Sequence, residues 1–273
     1  MSTEAIEVKP AEMLSAMDRA EIDVQIATAK QYPRDLARVL NNIRTYGQMD
    51  VETASECFYS LARGANPIEG VSVRFAEIVA GAWGNLRVAT RITGNDGKTI
   101  TAEGVAHDLE SNLAVKVEVK RRITDKNGRT FSEDMQVVTG NAASAIAFRN
   151  AVMKVVPKAI TKKVTDEIKA VAIGSTKDIE SRRKSMLEYV HAKPYCLTDE
   201  QILFFCGANT TENIDNEMLF NLKSAINAIK EGSSTVEEIF IQPMKEFKKA
   251  AAAEKKAVTA ADKASQAMAN SMK

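Results

Sequence analysis

The chain has 273 residues, 45% of them apolar, three cysteines and a formal net charge of +1. That is enough apolar mass for one large domain with a small appendage, and too few cysteines, at Cys57, Cys196 and Cys206, for a disulfide framework or a zinc cluster. The opening MSTEAIEVKP carries acids without an apolar run, and no segment approaches the roughly 20 apolar residues of a membrane span, so the reading is a cytoplasmic protein without a membrane partner.

The near-neutral total conceals an uneven distribution. Residues 80–163 hold 14 Lys and Arg against 8 Asp and Glu, which concentrates a positive field in the middle of the chain.

Taken in chain order, residues 11–30 mix strand-like alternation with helical spacing. Pro33 reads as a first-turn proline, followed at helical spacing by Leu36, Val39, Leu40 and Ile43 and closed by Gly47. Asp50 can cap a second helix through Ala54, Cys57, Phe58 and Leu61 that ends at Gly64. Beyond the turn-forming ANPIEG, Val71, Phe75, Ile78, Val79 and Ala82 predict a third helix stopped at Gly84.

The period then changes from 3.6 to 2. Leu86, Val88, Thr90 and Ile92 alternate with Arg87, Ala89 and Arg91, and GNDGK turns the chain into a strand from Thr99 to about Leu109. A third strand runs from Leu113 to Ile123. Asn127-Gly128 is a hairpin signal, so Thr130 to Val138 is expected to pair back as a fourth. The segment AASAIAFRNAVMKVVPKAI is apolar around most of its circumference and predicts a buried helix against the sheet, on which Arg149 and Lys154 stand out.

Residues 169–180 read as a linker and 181–244 as a small all-helical module, with a capping box at Thr198 and Gln201 and an amphipathic helix through Leu219, Leu222, Ile226 and Ile229. The Ala- and Lys-rich tail, 245–273, cannot bury itself. The expected fold class is α+β: N-terminal helices, an antiparallel three- to four-stranded meander packed on a long helix (a β-β-β-α core, 1–168), and the helical module.

Several chemistries are weighed against these residues. Asp108 with Glu118 and Lys120 imitates the acid, acid-x-lysine pattern by which some nucleases hold a divalent metal. Glu103 and His107 fall on one strand face and Asp108 and Glu110 on the other, so the four do not converge on a metal. No phosphate loop is present, and the two histidines, His107 and His191, offer no nucleophile-base pairing. No cofactor or catalytic residue is expected.

The basic residues gather more coherently. Arg87 and Arg91 share a face of the first meander strand, and Lys116, Lys120 and Arg122 share a face of the third. Lys126 and Arg129 flank the following turn, and Arg149, Lys154 and Lys158 lie along and beyond the long helix. If sheet and helix line one groove, these form a strip for a nucleic-acid backbone, bound through counterion release without regard to sequence. With aromatics at 5%, base stacking is not the expected source of affinity.

The order of elements, together with TAKQYPRD, NPIEGVSVRFAEIVAGAWGNL, AEGVAHDLESN, RRITDKNGRTFSEDM and TGNAASAIAFRNAVMKVVP, resembles the phage single-strand annealing recombinases, the RecT, Red-beta and Erf superfamily, over about residues 15–165. The resemblance implies a homo-oligomeric ring or helical filament that binds single-stranded DNA and pairs complementary strands without ATP. It carries groove roles to Lys116, Lys120, Arg122, Arg149 and Lys154. It further implies a C-terminal module that contacts a phage exonuclease or the host single-strand binding protein. The competing readings are the metal-dependent nuclease using Asp108, Glu118 and Lys120, and a non-enzymatic protein-interaction factor.

Overall fold

The computed structural model describes residues 10–61, 68–125, 127–174 and 178–253, the side chains of 10–17 excepted. The chain divides into two units: residues 1–57 with 72–169, and residues 58–71 with 170–273. Gly64, the first three residues of ANPIEG, Lys126 and most of the Lys/Ala-rich tail lie outside the described residues.

In the first unit, α1 (Pro10–Gln31) resolves the ambiguous stretch as helix. Helix α2 (Leu36–Gly47) starts three residues after Pro33, because the Asp35 carboxylate caps it by accepting from the N–H groups of Ala37 and Arg38. Asp50 caps α3 (Val51–Glu56) through the Thr53 N–H. The expected continuation of that helix to Leu61 does not form. The chain leaves α3 at Cys57, and Phe58–Leu61 becomes strand β1, paired antiparallel with β2 (Ile68–Val71). A six-residue helix is cheap to end, and Phe58 and Ser60 instead bury alternately as a strand, as the period of β structure dictates.

Ser72 caps α4 (Val73–Trp83) through the Phe75 N–H, and Gly84 ends it at φ 65. Three ten-residue strands follow: β3 (Leu86–Asn95), β4 (Thr99–Asp108) and β5 (Leu113–Arg122). They form an antiparallel meander in the order β3-β4-β5. Arg91 lies opposite Glu103 and Glu103 opposite Glu118, with a bulge between Ile92 and Gly94.

The expected fourth strand is absent. Thr124 and Thr130 make a single antiparallel bridge around the Asn127-Gly128 turn, after which the Ser132 hydroxyl caps α5 (Glu133–Val155). The turn signal is real, but an N-cap serine followed by Glu133 and Asp134 starts a helix within two residues of the bridge, and acids in a first turn favour helix over strand.

Helix α5 packs on one face of the sheet and against α4, which in turn packs on α2. Ala143, Ala147, Ala151 and Val155 form a stripe of small residues over Ile100, Ala102, Ala106 and Val117. Gly104 lies beneath Ala147, so close that a Cβ there would stand 2.5 Å from the Ala147 carbonyl oxygen. Helix α6 (Lys158–Ile173) occupies part of the segment read as linker.

In the second unit, α7 (Ile179–His191), α8 (Asp199–Cys206) and α9 (Asn216–Lys230) pack with the β1–β2 hairpin. Leu219, Leu222 and Ile226 of α9 are buried with Ile202, Ile239 and Phe240. Asn227 Nδ2 donates to the Phe58 carbonyl at 2.9 Å, tying hairpin to helix. The Arg182 guanidinium caps the C-terminus of α6 by donating to the carbonyls of Ala172 and Ile173. The capping box of α8 is complete, with Thr198 Oγ1 accepting from Gln201 N and Gln201 Oε1 from Thr198 N. Thr198→Ala is expected to destabilise the protein by about 1 kcal/mol, read as a lower urea midpoint with unchanged slope.

Candidate nucleic-acid interface

Side-chain alternation sorts the sheet into two faces. Ile100, Ala102, Gly104, Ala106 and Asp108 of β4 face α5; Thr99, Thr101, Glu103, Val105 and His107 fall on the opposite, open face. The register then brings Arg87 opposite His107, Arg91 opposite Glu103, Lys116 opposite Val105, Lys120 opposite Thr101 and Arg122 opposite Thr99. All five sheet cations singled out from the sequence therefore share the open face.

Arg91, Lys116 and Lys120 are 70%, 62% and 66% exposed. Acids are interleaved with them. Glu103 bridges Arg91 Nη2 at 2.9 Å and Lys116 Nζ at 2.9 Å, and Glu118 approaches Lys120 Nζ at 3.4 Å. The Lys116 hydrogen bond, ahead of a smaller opposing effect of partial burial, and the Arg91 contacts hold the Glu103 carboxyl below its usual range.

At the start of β3 the face is bounded by α1: Arg87 Nη1 donates to Glu21 Oε1 at 3.0 Å and Gln25 Oε1 at 3.1 Å. These residues line a cleft of about 460 Å³ with Asn85 and Leu109. His107 Nε2 lies 3.1 Å from Asn112 Oδ1. At the other end, Thr130 Oγ1 donates to the Gly97 carbonyl, which draws the turn bearing Arg129 alongside the β3–β4 turn, and Arg129 is exposed there.

The helix residues are not part of this face. Because α5 covers the other side of the sheet, Arg149, Lys154 and Lys158 belong to the helical layer, and the single groove between charged face and helix expected from the sequence does not exist. Arg149 is only 9% exposed, on the side of α5 away from its Ala143–Ala147–Ala151 stripe, with Nε donating to Asn150 Oδ1 at 3.4 Å. A guanidinium so enclosed is part of the packing. Lys154 and Lys158 are exposed at the end of α5 and the start of α6.

The acid-x-lysine arrangement also fails to assemble. Asp108 faces α5 and pairs with Leu113, whereas Glu118 is on the open face five positions along β5, roughly 17 Å away along the strand. Asp108 is instead enclosed in a network that the sequence does not announce. Arg34 Nη1 and Nη2 donate to its two carboxylate oxygens at 2.6 Å each, and Trp83 Nε1 donates to Oδ2 at 3.2 Å. The Arg34 guanidinium stacks 4.2 Å from the Trp83 ring centroid, and Arg34 Nε reaches Glu110 at 3.2 Å. Burial alone would raise the Asp108 pKa, but Arg34, Trp83 and the Glu110 N–H outweigh it and hold the carboxyl far below the usual aspartate range. Arg34 and Asp108 are 74 positions apart, so only tertiary structure reveals the pair. Among the described residues no group of three potential ligands converges on a metal position, and no helix is long and apolar enough to cross a membrane.

No family model, curated protein or solved structure matches this chain.

Proposed function

We propose that this protein binds single-stranded DNA on the open face of the meander and anneals complementary strands without ATP, as a cytoplasmic homo-oligomer in phage recombination. The observation that carries the binding reading is the clustering of Arg87, Arg91, Lys116, Lys120 and Arg122 on one uncovered sheet face. Their ammonium and guanidinium groups outnumber Glu103 and Glu118 on that face, and long exposed side chains on adjacent strands can follow a phosphate backbone while leaving its bases free to pair. Annealing, oligomer formation and recruitment of an exonuclease or single-strand binding protein by the C-terminal helices are supported by the resemblance to the recombinases. Strand pairing of this kind makes and breaks no covalent bond, so the proposal requires no catalytic residue.

The experiment is titration of a fluorescent oligothymidylate at several salt concentrations. An Arg91→Ala, Lys116→Ala double variant is expected to make the slope of log K against log salt shallower by about 1.4, from two phosphate contacts at ~0.7 each. Glu103→Gln should act oppositely and tighten binding, because it removes the carboxylate that competes for those two cations. An unchanged slope in the double variant would remove the open face from the interface. A two-oligonucleotide annealing assay without ATP then tests strand pairing.

The interleaved acids favour one second reading, a protein partner of mixed charge on the same face. Failure of the wild-type chain to be retained on a single-stranded DNA column would select it.

A further inference from the structure

The two outer edges of the meander are guarded differently. Strand β5 carries Lys116, Lys120, Arg121 and Arg122, and long cations on an edge discourage a further strand. Strand β3 carries no lysine, and each of its arginines is drawn onto an acid of the chain, Arg87 onto Glu21 and Arg91 onto Glu103. Among the described residues β3 pairs with β4 and with no other strand.

In an antiparallel ladder every second residue turns its main-chain groups toward the partner strand, and the residues between turn theirs away. Leu109 N donates to the Asn85 carbonyl at 2.9 Å, which places Asn85 in a bonded pair and fixes the phase. Arg87, Ala89 and Arg91 therefore bond to β4, while Leu86, Val88 and Thr90 direct their N–H and C=O groups outward. No hydrogen bond from another described element reaches the main chain of Val88 or Thr90. Residues 86–89 line the cleft of about 460 Å³ against Glu21 and Gln25 of α1, and residues 89–92 beyond it are exposed. The edge is thus a socket that continues into an open strip, roughly 23 Å long over residues 86–92.

Only an extended backbone can satisfy outward groups that alternate in this way. Its side chains would meet two environments. Toward α5, Leu86 and Val88 pack partly against the sheet core and Ile92 is 46% exposed, which favours aliphatic neighbours. Toward the open face, Arg87, Arg91, Lys116, Lys120 and Arg122 outnumber Glu21, Glu103 and Glu118, which favours acids. A second copy fits less well: its β5 edge would set Lys116, Lys120 and Arg122 beside Arg87 and Arg91, and its β3 edge would add further arginines.

We propose that the β3 edge and the adjoining cleft form a docking site for an extended acidic peptide of alternating aliphatic and carboxylate residues, which adds to the meander as a fourth strand. The inference goes beyond the DNA-binding reading and does not require it.

The test is fluorescence anisotropy of a labelled heptapeptide of alternating valine and glutamate, titrated with the full chain. Val88→Pro removes one outward N–H without touching the ladder to β4, and should weaken binding about fivefold or more. Peptides N-methylated on the valines alone, or on the glutamates alone, give a second readout that does not depend on the folding of a variant. An added strand turns only alternate main-chain groups toward β3, so one methylated set should abolish binding and the other retain it. Identical behaviour of the two methylated peptides, or no binding of the unmodified one, overturns the site. Equal binding of a peptide of alternating valine and lysine overturns its acidic specificity. A wild-type chain that sediments as a dimer and excludes the peptide, with Val88→Pro monomeric, gives the edge to a second copy and overturns the peptide assignment.

Discussion

Replacing Asp108 by alanine is expected to destabilise the protein by about 3 kcal/mol, seen as a large fall in the urea midpoint, because the substitution strips the enclosed Arg34 guanidinium of its bidentate partner and leaves it only Glu110 at 3.2 Å. The Arg34 and Asp108 side chains are 11% and 4% exposed, and the two 2.6 Å hydrogen bonds form a bidentate pair. A simultaneous Arg34→Met, Asp108→Leu change should cost much less, since it removes both charges together. A double variant as unstable as Asp108→Ala would show that the network matters through shape and not charge.

The same pair sets a pH dependence. The Asp108 pKa is depressed in the folded state, so its contribution is fully present above the ordinary aspartate value of 3.8. It is lost as pH falls below that value toward the folded-state pKa, because the unfolded chain then binds a proton that the folded one does not. Unfolding midpoints measured from pH 7 down to about 2 should fall more steeply for the wild type than for the double hydrophobic variant, whose carboxylate is gone.

The second large effect is expected at Gly104. A Cβ there would meet the backbone of Ala147, 2.5 Å from its oxygen and 2.7 Å from its carbonyl carbon, and a backbone carbonyl in the middle of a 23-residue helix has no rotamer through which to withdraw. Gly104→Val should therefore lift α5 from the sheet, at a cost of roughly 3 kcal/mol or more in unfolding free energy, at or beyond the upper end of overpacking penalties. Gly140→Ala is the comparison: its added methyl would meet the Ile100 Cδ1 at 3.0 Å, the movable end of a side chain, and alanine favours helix over glycine by about 1 kcal/mol. Near-wild-type stability of Gly104→Val would refute the close approach of α5 to β4.

How much of this was legible beforehand varies with the range of the interaction. The meander was readable because two-residue alternation from Leu86 to Arg122 and the turns at 95–98 and 109–112 are local patterns. They also sort the sheet cations correctly onto one face. Gly104 itself was a visible signal, since a glycine in a strand interior commonly marks close approach of another backbone. The missed β1–β2 hairpin has a different cause: Ala54, Cys57, Phe58 and Leu61 fit a helical period, and only pairing with Ile68–Val71 and packing on α9 select the strand.

The sequence by itself determined the α+β class, the helix caps at Asp50 and Thr198, and the face on which each sheet cation stands, because each depends on neighbours within a few residues. Tertiary structure alone decided which side of the sheet α5 would cover. A helix as apolar as α5 announces burial without naming the surface it buries against, and that choice separated Arg149 from the sheet cations. It also turned Asp108 into the partner of Arg34, since contacts between residues far apart in sequence leave no periodicity to read.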